Sequence, residues 1–466
     1  MIECSVKNCL KAVNGTLIRG TDGQEFNGVS IDSRTVNEGA LFVCIHGERF
    51  DGHDFIPEAV EKGVAGIMLS NPEKLSSTMN MENALSPFII QVEDTLTALQ
   101  ELARFYREQS EVRVVGITGT NGKSTTKEMT ASIAASKFAT HKTKGNLNNH
   151  IGVPLTLLDM MKEDEVAILE MGMSATGEIK RLSEIAQPDI GIITNISEGH
   201  LIQLKTLKGV QKAKGELFEA LAENGTAIVN ADDPLVLELA RSLRTRVVTF
   251  GIDNSADVHA RNIRPAGNEG FDFTVHMFDE EVPIQLPFLG FCNIYNALAA
   301  MATGYSLGVP TKNMSAGLAN STLLAQRYEI IRQGEITIIN DSYNANPKSM
   351  REALTTLQQF NTQGRKYFVI GEMRELGDLA KTAHVGLGQE VKKHNVDYLV
   401  TVGEMAGLAA QSAHEEGMEA DRVYAAGSHK DAIDFMKKNS LPGDCFLVKG
   451  SRGAAMEEVV KGLVQH

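Results

Sequence analysis

The sequence predicts an α/β protein of three domains, and three observations predict it. The chain has 466 residues, and domains of about 150 residues would divide it into about three. Short runs of branched apolar residues alternate with helical patterns along most of its length, as in parallel strands covered by helices. One run, Val114-Val115-Gly116-Ile117, passes through a glycine-rich turn into a helix start at Lys123-Ser124-Thr125-Thr126. Hydrophobic content of 42% and charged content of 22% are ordinary for a globular protein, and each third is long enough to bury its own core.

Residues 1–110 are expected to form the smaller, N-terminal α/β domain. Leu41–Ile45, Ala65–Leu69 and Phe88–Val92 read as strands. Asp94 is placed to cap a helix whose Leu96, Leu99, Leu102, Ala103 and Tyr106 share one face. The polar run Arg107-Glu108-Gln109-Ser110-Glu111 reads as a linker.

Residues 111–325 are expected to be the central domain. Strands at Val112–Ile117, Val166–Leu169, Ile190–Thr194, Thr226–Val229 and Val247–Phe250 alternate with helices. This predicts a parallel sheet flanked by helices, with ligands beyond the carboxyl ends of its strands. The glycine-rich turn, Glu170 and Asn195 lie at those ends. Residues 256–290 are rich in strands and turns and read as a small antiparallel patch. Residues 326–466 repeat the βα style, with strands at Ile336–Ile339, Tyr367–Ile370, Tyr398–Val402 and Cys445–Val448, and predict a Rossmann-like C-terminal domain.

Charge and cysteines narrow the function classes. The net charge of −14, from 45 basic and 59 acidic residues, argues against a nucleic-acid partner, which needs a basic face. Five scattered cysteines without paired spacing predict neither a disulfide framework nor a zinc site, and place the chain in a reducing cytoplasm. Residues 1–7 lack a basic region followed by an apolar run, so no signal peptide is expected. No apolar run approaches the roughly 20 residues of a membrane span, so no membrane insertion is expected.

The glycine-rich string carries the strongest chemistry. Thr118-Gly119-Thr120-Asn121-Gly122-Lys123-Ser124-Thr125 would turn several backbone N–H groups into one concave space at a helix N-terminus, a ready anion site. Lys123 would reach the outer phosphates of a nucleotide, and the Ser124 hydroxyl would hold Mg2+. The general pattern G-x-x-x-x-G-K-[ST] starts with Gly; here that position is Ile117.

Other clusters are open between two readings from residues alone. Glu170, directly after an apolar strand, is a metal ligand or a surface acid. His200, in Thr194–His200, is a ligand or a structural histidine. Lys214, in Lys212-Ala213-Lys214-Gly215-Glu216, reads as a solvated charge. The segment Asp341–Met350 holds six polar side chains before a helix, with Pro347 near its first turn. Capping explains one or two of them, and a ligand loop explains the rest. Lys142–Asn149 is dense in amides, fit for a substrate's phosphate and amide groups or for a solvated loop.

In this order the clusters resemble the Mur ligase family, ATP-dependent amide-forming enzymes of peptidoglycan synthesis. The resemblance covers essentially the whole chain. It rests on T-G-T-N-G-K-S-T, Asp32-Ser33-Arg34 with Leu41-Phe42-Val43, and Gly47–Phe55. It also rests on Gly145–Pro154, Glu170-Met171-Gly172, Asp341–Met350, Gly371-Glu372-Met373-Arg374-Glu375-Leu376-Gly377 and Lys449-Gly450-Ser451-Arg452. The family's phosphate-loop variant accounts for Ile117. The third-residue ligase of the family carries Asp-Asn-Pro-Arg, and no such string occurs here. The resemblance therefore implies the branch that joins D-alanyl-D-alanine to UDP-N-acetylmuramoyl-tripeptide. It implies a UDP-substrate domain (1–110), an ATP-binding domain (111–325) and a domain that closes over ATP and takes the dipeptide (326–466). Lys123, Lys214, His200 and Arg327 would be catalytic. Ser124 and Glu170 would bind one Mg2+ and His200 another, with Lys214 carbamylated into an anionic arm of the metal site. Asn293 and Asn296 would lie at the nucleotide, Asn296 against adenine, and Arg327 and Asp341 at phosphate and ribose. Asp32, Ser33, Arg34 and Gly47 would lie at the UDP end. Asn146, Asn148, Asn149, Tyr343, Asn344 and Asn346 would meet substrate. A monomer is expected. Cys292-Asn293 stands where the family often has His-Asn, and Glu372 where it has Asp. The rivals are another ligase of the superfamily, such as the third-residue ligase or a folylpolyglutamate synthase, and a phosphate-loop switch or motor that hydrolyses ATP without either amide substrate.

Overall fold

Among the described residues, strand pairing sorts the apolar runs into three main sheets of nine, six and five strands, plus a two-stranded ribbon of Glu3–Ser5 with Glu25–Asn27. The computed structural model describes residues 3–75 and 87–464; Met1 and Ile2, part of the stretch read for a signal peptide, lie outside it.

The nine-stranded sheet is built around Arg113–Thr118, flanked by parallel Ile190–Ile193 and Val166–Glu170. Thr226–Asn230 and Arg246–Gly251 extend one side and Thr140–Lys142 the other, all parallel. Both faces are covered, so the runs need no polar alternation. Val114, Ala167, Leu169 and Val229 pack on one face with Leu157, Leu182 and Leu217 from three helices. Val115, Ile117, Ile168 and Ile228 pack on the other with Met129, Ile133, Leu298 and Met301. The expected patch at 256–290 is three antiparallel strands, Val258–Pro265, Phe271–Met277 and Glu280–Leu286. It continues the central sheet instead of standing apart, because Phe250 and Gly251 pair in parallel with Val258 and His259.

In the five-stranded sheet Val29–Ser30, Leu41–Val43, Gly66–Leu69 and Phe88–Gln91 run parallel, with Thr16–Arg19 antiparallel at the edge. The helix Thr95–Glu108 follows, and the Asp94 carboxylate accepts the Thr97 N–H at its start. Its Leu99, Leu102 and Ala103 join the same apolar cluster as the central sheet. Here the linker reading is corrected. Arg107 is buried, and its guanidinium donates to the carbonyls of Ala186 (2.9 Å), Gln187 (3.1 Å) and Ser110 (3.1 Å) and to the Asp189 carboxylate (3.2 Å). A charge that desolvated needs such a set of acceptors, so the run is a joint that fixes the two units together.

The six-stranded sheet places Ile336–Asp341, Cys445–Lys449 and Lys366–Gly371 side by side in parallel, followed by Tyr398–Val402 and Val423–Ala426. Glu329–Gln333 adds an antiparallel edge that its half-exposed sequence did not advertise. Asn268 and Asn361 tie this unit to the central sheet's hairpin: Asn268 Nδ2 donates to the Asn361 carbonyl (2.7 Å) and the Asn361 N–H to Asn268 Oδ1 (2.8 Å). No helix among the described residues is long and apolar enough to cross a membrane.

Candidate active site

The glycine-rich string leaves the strand Arg113–Thr118 and enters the helix Lys123–Ala135. Two of its glycines are required. A Cβ on Gly119 (φ +148°) would sit 1.9 Å from Thr194 Oγ1, and one on Gly122 (φ +85°) 2.3 Å from Asn296 Oδ1. The segment after Ile190–Ile193 grips the loop from outside. Asn195 Oδ1 accepts the Asn121 N–H (3.1 Å), Asn195 Nδ2 and Thr194 Oγ1 donate to the Asn121 carbonyl (2.9 and 2.6 Å), and the Ser197 N–H donates to Thr120 Oγ1 (3.0 Å). Such bracing preorganises an anion site before the anion arrives. Lys123 Nζ donates to the carbonyls of Gly119 (2.9 Å) and Thr120 (3.3 Å). Burial lowers its pKa, the Glu170 charge opposes this, and Arg327 adds to the lowering.

A cavity of about 870 Å³ opens over the loop, lined by Thr120–Thr125, Asn148, Asn149, Glu170, His200, Asn293, Asn296, Arg327, Asp341, Tyr343 and Asn344. Most candidates from both units thus meet at one mouth. Thr118, Gly119, Lys214 and Asn346 do not line it, and Gly47 and Asn146 line neither this cavity nor the second one. Glu170 is 2% exposed. One of its oxygens accepts from Asn148 Nδ2 (2.8 Å), while the buried Oε2 has no hydrogen-bond partner, with Lys127 Nζ 4.0 Å away. The surface-acid reading of Glu170 is therefore wrong. The solvated reading of Lys214 is also corrected: it is 2% exposed on the inner side of the helix Leu207–Glu219. Burial drives its pKa well down and the Lys123 charge drives it further. His200 has a left-handed backbone (φ 55°), and its Nδ1 lies 2.8 Å from Glu375 Oε2 of the C-terminal unit.

The segment after Ile336–Asp341 supplies the far wall. Asp341 and Lys449, both buried, form an ion pair (2.5 Å), and Lys449 Nζ also donates to the Asn344 carbonyl (3.0 Å). Asn346 caps the helix Pro347–Gln359 in a capping box with Ser349. Its amide also meets the phosphate loop, Asn346 Nδ2 donating to Asn121 Oδ1 (2.6 Å). The guanidiniums of Arg327 and Arg452 lie over the Tyr343 ring, 4.2 and 5.8 Å from its centre. Asn296 Nδ2 donates to Asn293 Oδ1 (2.9 Å), and Asn296 Oδ1 accepts from Thr126 (3.2 Å). Sequence reasoning missed Lys449, Lys348 and Glu352 on this wall; burial raises the Glu352 pKa against Lys348 and Lys449. Lys449 was within a quoted motif, but its partner Asp341 is 108 residues away.

A second cavity, about 930 Å³, lies between the N-terminal sheet and the central unit and is lined by Ser30–Thr35, Phe50, Phe55, Lys144, Leu147 and Asp159, among others. It holds Asp32, Ser33 and Arg34 together. Arg34 forks onto Asp32 through Nε (2.9 Å) and Nη2 (2.8 Å) and holds its carboxyl down at about 2. Ser33 is turned inward, donating to Glu58 Oε2 (2.6 Å).

Known proteins were compared with this arrangement. Family models match three consecutive stretches: the Mur ligase family catalytic domain over residues 25–107, the Mur ligase middle domain over 117–304 and the Mur ligase glutamate ligase domain over 326–452. The UDP-N-acetylmuramoyl-tripeptide–D-alanyl-D-alanine ligase of Bacillus subtilis is 39% identical, across 100% of this chain and 99% of its own. A crystal structure of MurF from Acinetobacter baumannii superposes with a TM-score of 0.90 at 31% identity, over 100% of both chains. The MurF ligase of Thermotoga maritima in complex with ADP gives 0.81 at 27% identity, over 94% of this chain and 97% of that one. By full-length identity and by domain order, this chain belongs to the Mur ligase family.

Proposed function

We propose that the chain is an ATP-dependent ligase that joins D-alanyl-D-alanine to UDP-N-acetylmuramoyl-tripeptide, making the UDP-muramoyl-pentapeptide of peptidoglycan synthesis, and that it works as a cytoplasmic monomer. One observation carries the reading. The phosphate loop of one unit and the Asp341–Glu352 segment of another line a single cavity, in a chain matched end to end by ligases of that name.

The tripeptide's terminal carboxylate attacks the γ-phosphorus of ATP, ADP leaves, and an acyl phosphate forms. The amine of D-alanyl-D-alanine then attacks the acyl carbon; phosphate leaves with the acyl C–O electrons and the amine loses a proton. Both partners of the first step are anionic. Lys123 and Arg327, which line the same cavity, would supply the opposing charge. The loop Thr118–Thr125 would hold the phosphates, Asn293 and Asn296 the base side, and Asp341 the ribose side. Asp32, Ser33, Arg34 and Gly47 would serve the UDP end. Asn146, Asn148, Asn149, Tyr343, Asn344 and Asn346 would serve the peptide parts. The C-terminal unit covers the cavity and keeps water from the acyl phosphate.

The donor set fits Mg2+. The buried Glu170 oxygen lacks a hydrogen-bond partner, and a hard cation takes carboxylate and hydroxyl oxygens. Ser124 and Glu170 would hold one ion and His200 another, and bound Mg2+ would neutralise phosphate charge. Burial favours the uncharged amine of Lys214, the form that would add CO2 and release a proton to solvent, giving a carbamate as an anionic arm of the metal site.

The test is phosphate release from ATP with the UDP-tripeptide, with and without D-alanyl-D-alanine. Release that needs both, with a product heavier by the dipeptide, is expected. Release without either would identify a switch or motor instead, and turnover only with another amine would change the acceptor.

A further inference from the structure

The motif Gly371–Gly377 has so far no task of its own, yet it touches the central unit at the edge of the cavity. The carboxylate of Glu375 lies 2.8 Å from His200 Nδ1, and the Glu375 carbonyl accepts the Leu201 N–H (3.0 Å). One side-chain and one main-chain bond thus hold two consecutive residues of the other unit. Glu375 and His200 both have left-handed backbones, at φ 67° and 55°. Non-glycine residues adopt that conformation at a cost and keep it where surroundings enforce it. The base beneath Glu375 is firm. The Met373 N–H donates to Nε2 of the buried His384 (3.0 Å), whose Nδ1 donates to the Ala380 carbonyl (2.7 Å), and Ser451 Oγ donates to the Glu372 carbonyl (2.6 Å).

An imidazole nitrogen facing a carboxylate carries its proton, which leaves the other nitrogen's lone pair free. That is how carboxylates orient histidines that ligate metals. We propose that Glu375 is a positioning residue: it fixes the tautomer and direction of His200 so that Nε2 serves a divalent cation, and it does so only while the C-terminal unit is docked. This rests on the reading of His200 as a metal residue. It makes the C-terminal unit a part of the cation site without giving it a ligand.

The test uses the full chain with ADP and Mn2+, read by electron paramagnetic resonance, for Glu375→Ala, Glu375→Gln, His200→Ala and the double variant Glu375→Ala/His200→Ala. Glu375→Ala should weaken Mn2+ about tenfold or more, the usual effect of losing such an outer partner. Glu375→Gln, whose amide oxygen still accepts the Nδ1 proton, should weaken it less. The double variant should bind no worse than His200→Ala, since Glu375 acts through that ring. In ligation, kcat should fall with KM for the UDP-tripeptide within about twofold. Unchanged Mn2+ affinity in Glu375→Ala or in His200→Ala overturns the proposal. So does a further loss in the double variant. If Glu375→Ala does not fold, Glu375→Gln against wild type decides alone, and wild-type affinity in it counts against the proposal. A wild-type chain that binds Mn2+ and ADP but does not ligate would sink the ligase reading and leave the Glu375 comparison standing.

Discussion

The two cavities are alike in size and opposite in construction. Over the phosphate loop, charge is already taken out of water: Glu170 is buried with a spare oxygen, and Asp341 is locked to the buried Lys449. In the N-terminal cavity the charges stay wet. The side chains of Arg34 and Lys144 are 81% and 74% exposed in their pairs with Asp32 and Asp159, and Phe50 is 71% exposed. Buried charges act through low dielectric and fixed geometry, so each counts for much. Exposed pairs are screened and count for little singly. On the proposed function, the first cavity would serve chemistry and the second spread-out recognition.

The largest effect should come from the first cavity. Lys123→Ala should lower kcat for ligation by about 10³-fold, the loss expected for one preorganised charge at a phosphoryl transfer, with the melting temperature little changed. Full ligation by this variant would break the comparison outright. Next comes Lys214→Met, which should cost about 10²-fold in kcat, at the upper end of the range for a group that completes a metal site. It should also reveal the buried amine in stability. The folded Lys214 pKa lies well below the ordinary 10.5, so the unfolded chain binds the extra proton. Stability is then lost as pH falls from the unfolded value toward the folded one. In bicarbonate-free buffer the Met variant should melt above wild type, and the gap should widen from about pH 10 down toward neutral. A gap that does not change with pH would place the Lys214 amine in water, and one that narrows on acidification would mean an anionic partner for it.

What the sequence disclosed follows the reach of each signal. The phosphate loop was legible because its strand, turn and helix start are contiguous, and the run Tyr398–Val402 was legible because both sheet faces bury it. Lys214 was not. Lys212 and Lys214 are two positions apart on one helix, the first exposed and the second buried, and only the packing of that helix separates them. Arg107 looked like a linker because its acceptors Ala186 and Gln187 are some 80 residues away. Asn195 was noticed at a strand end, but its grip on Asn121 depends on the parallel pairing of Ile190–Ile193 with the loop's own strand. Asn346 drew a substrate reading, while its amide is shared between a helix cap and the phosphate loop.

The smallest effect should come from Arg34→Ala, and it sharpens the comparison most. Its pair with Asp32 is bidentate, yet Arg34 is largely in water, where solvent screens such pairs and they contribute little. KM for the UDP-tripeptide should rise by about fivefold at most, with kcat unchanged. Because Asp32 titrates near 2 with Arg34 in place and near the ordinary carboxylate value without it, it is ionised in both proteins at neutral pH. The KM ratio should therefore be flat between about pH 6 and 8, and it should shrink in about 0.5 M salt, which screens exposed charge. A KM increase of a hundredfold or more, insensitive to salt, would mean that substrate closes this cavity over Arg34. The wet cavity would then become as dry on binding as the first is before it.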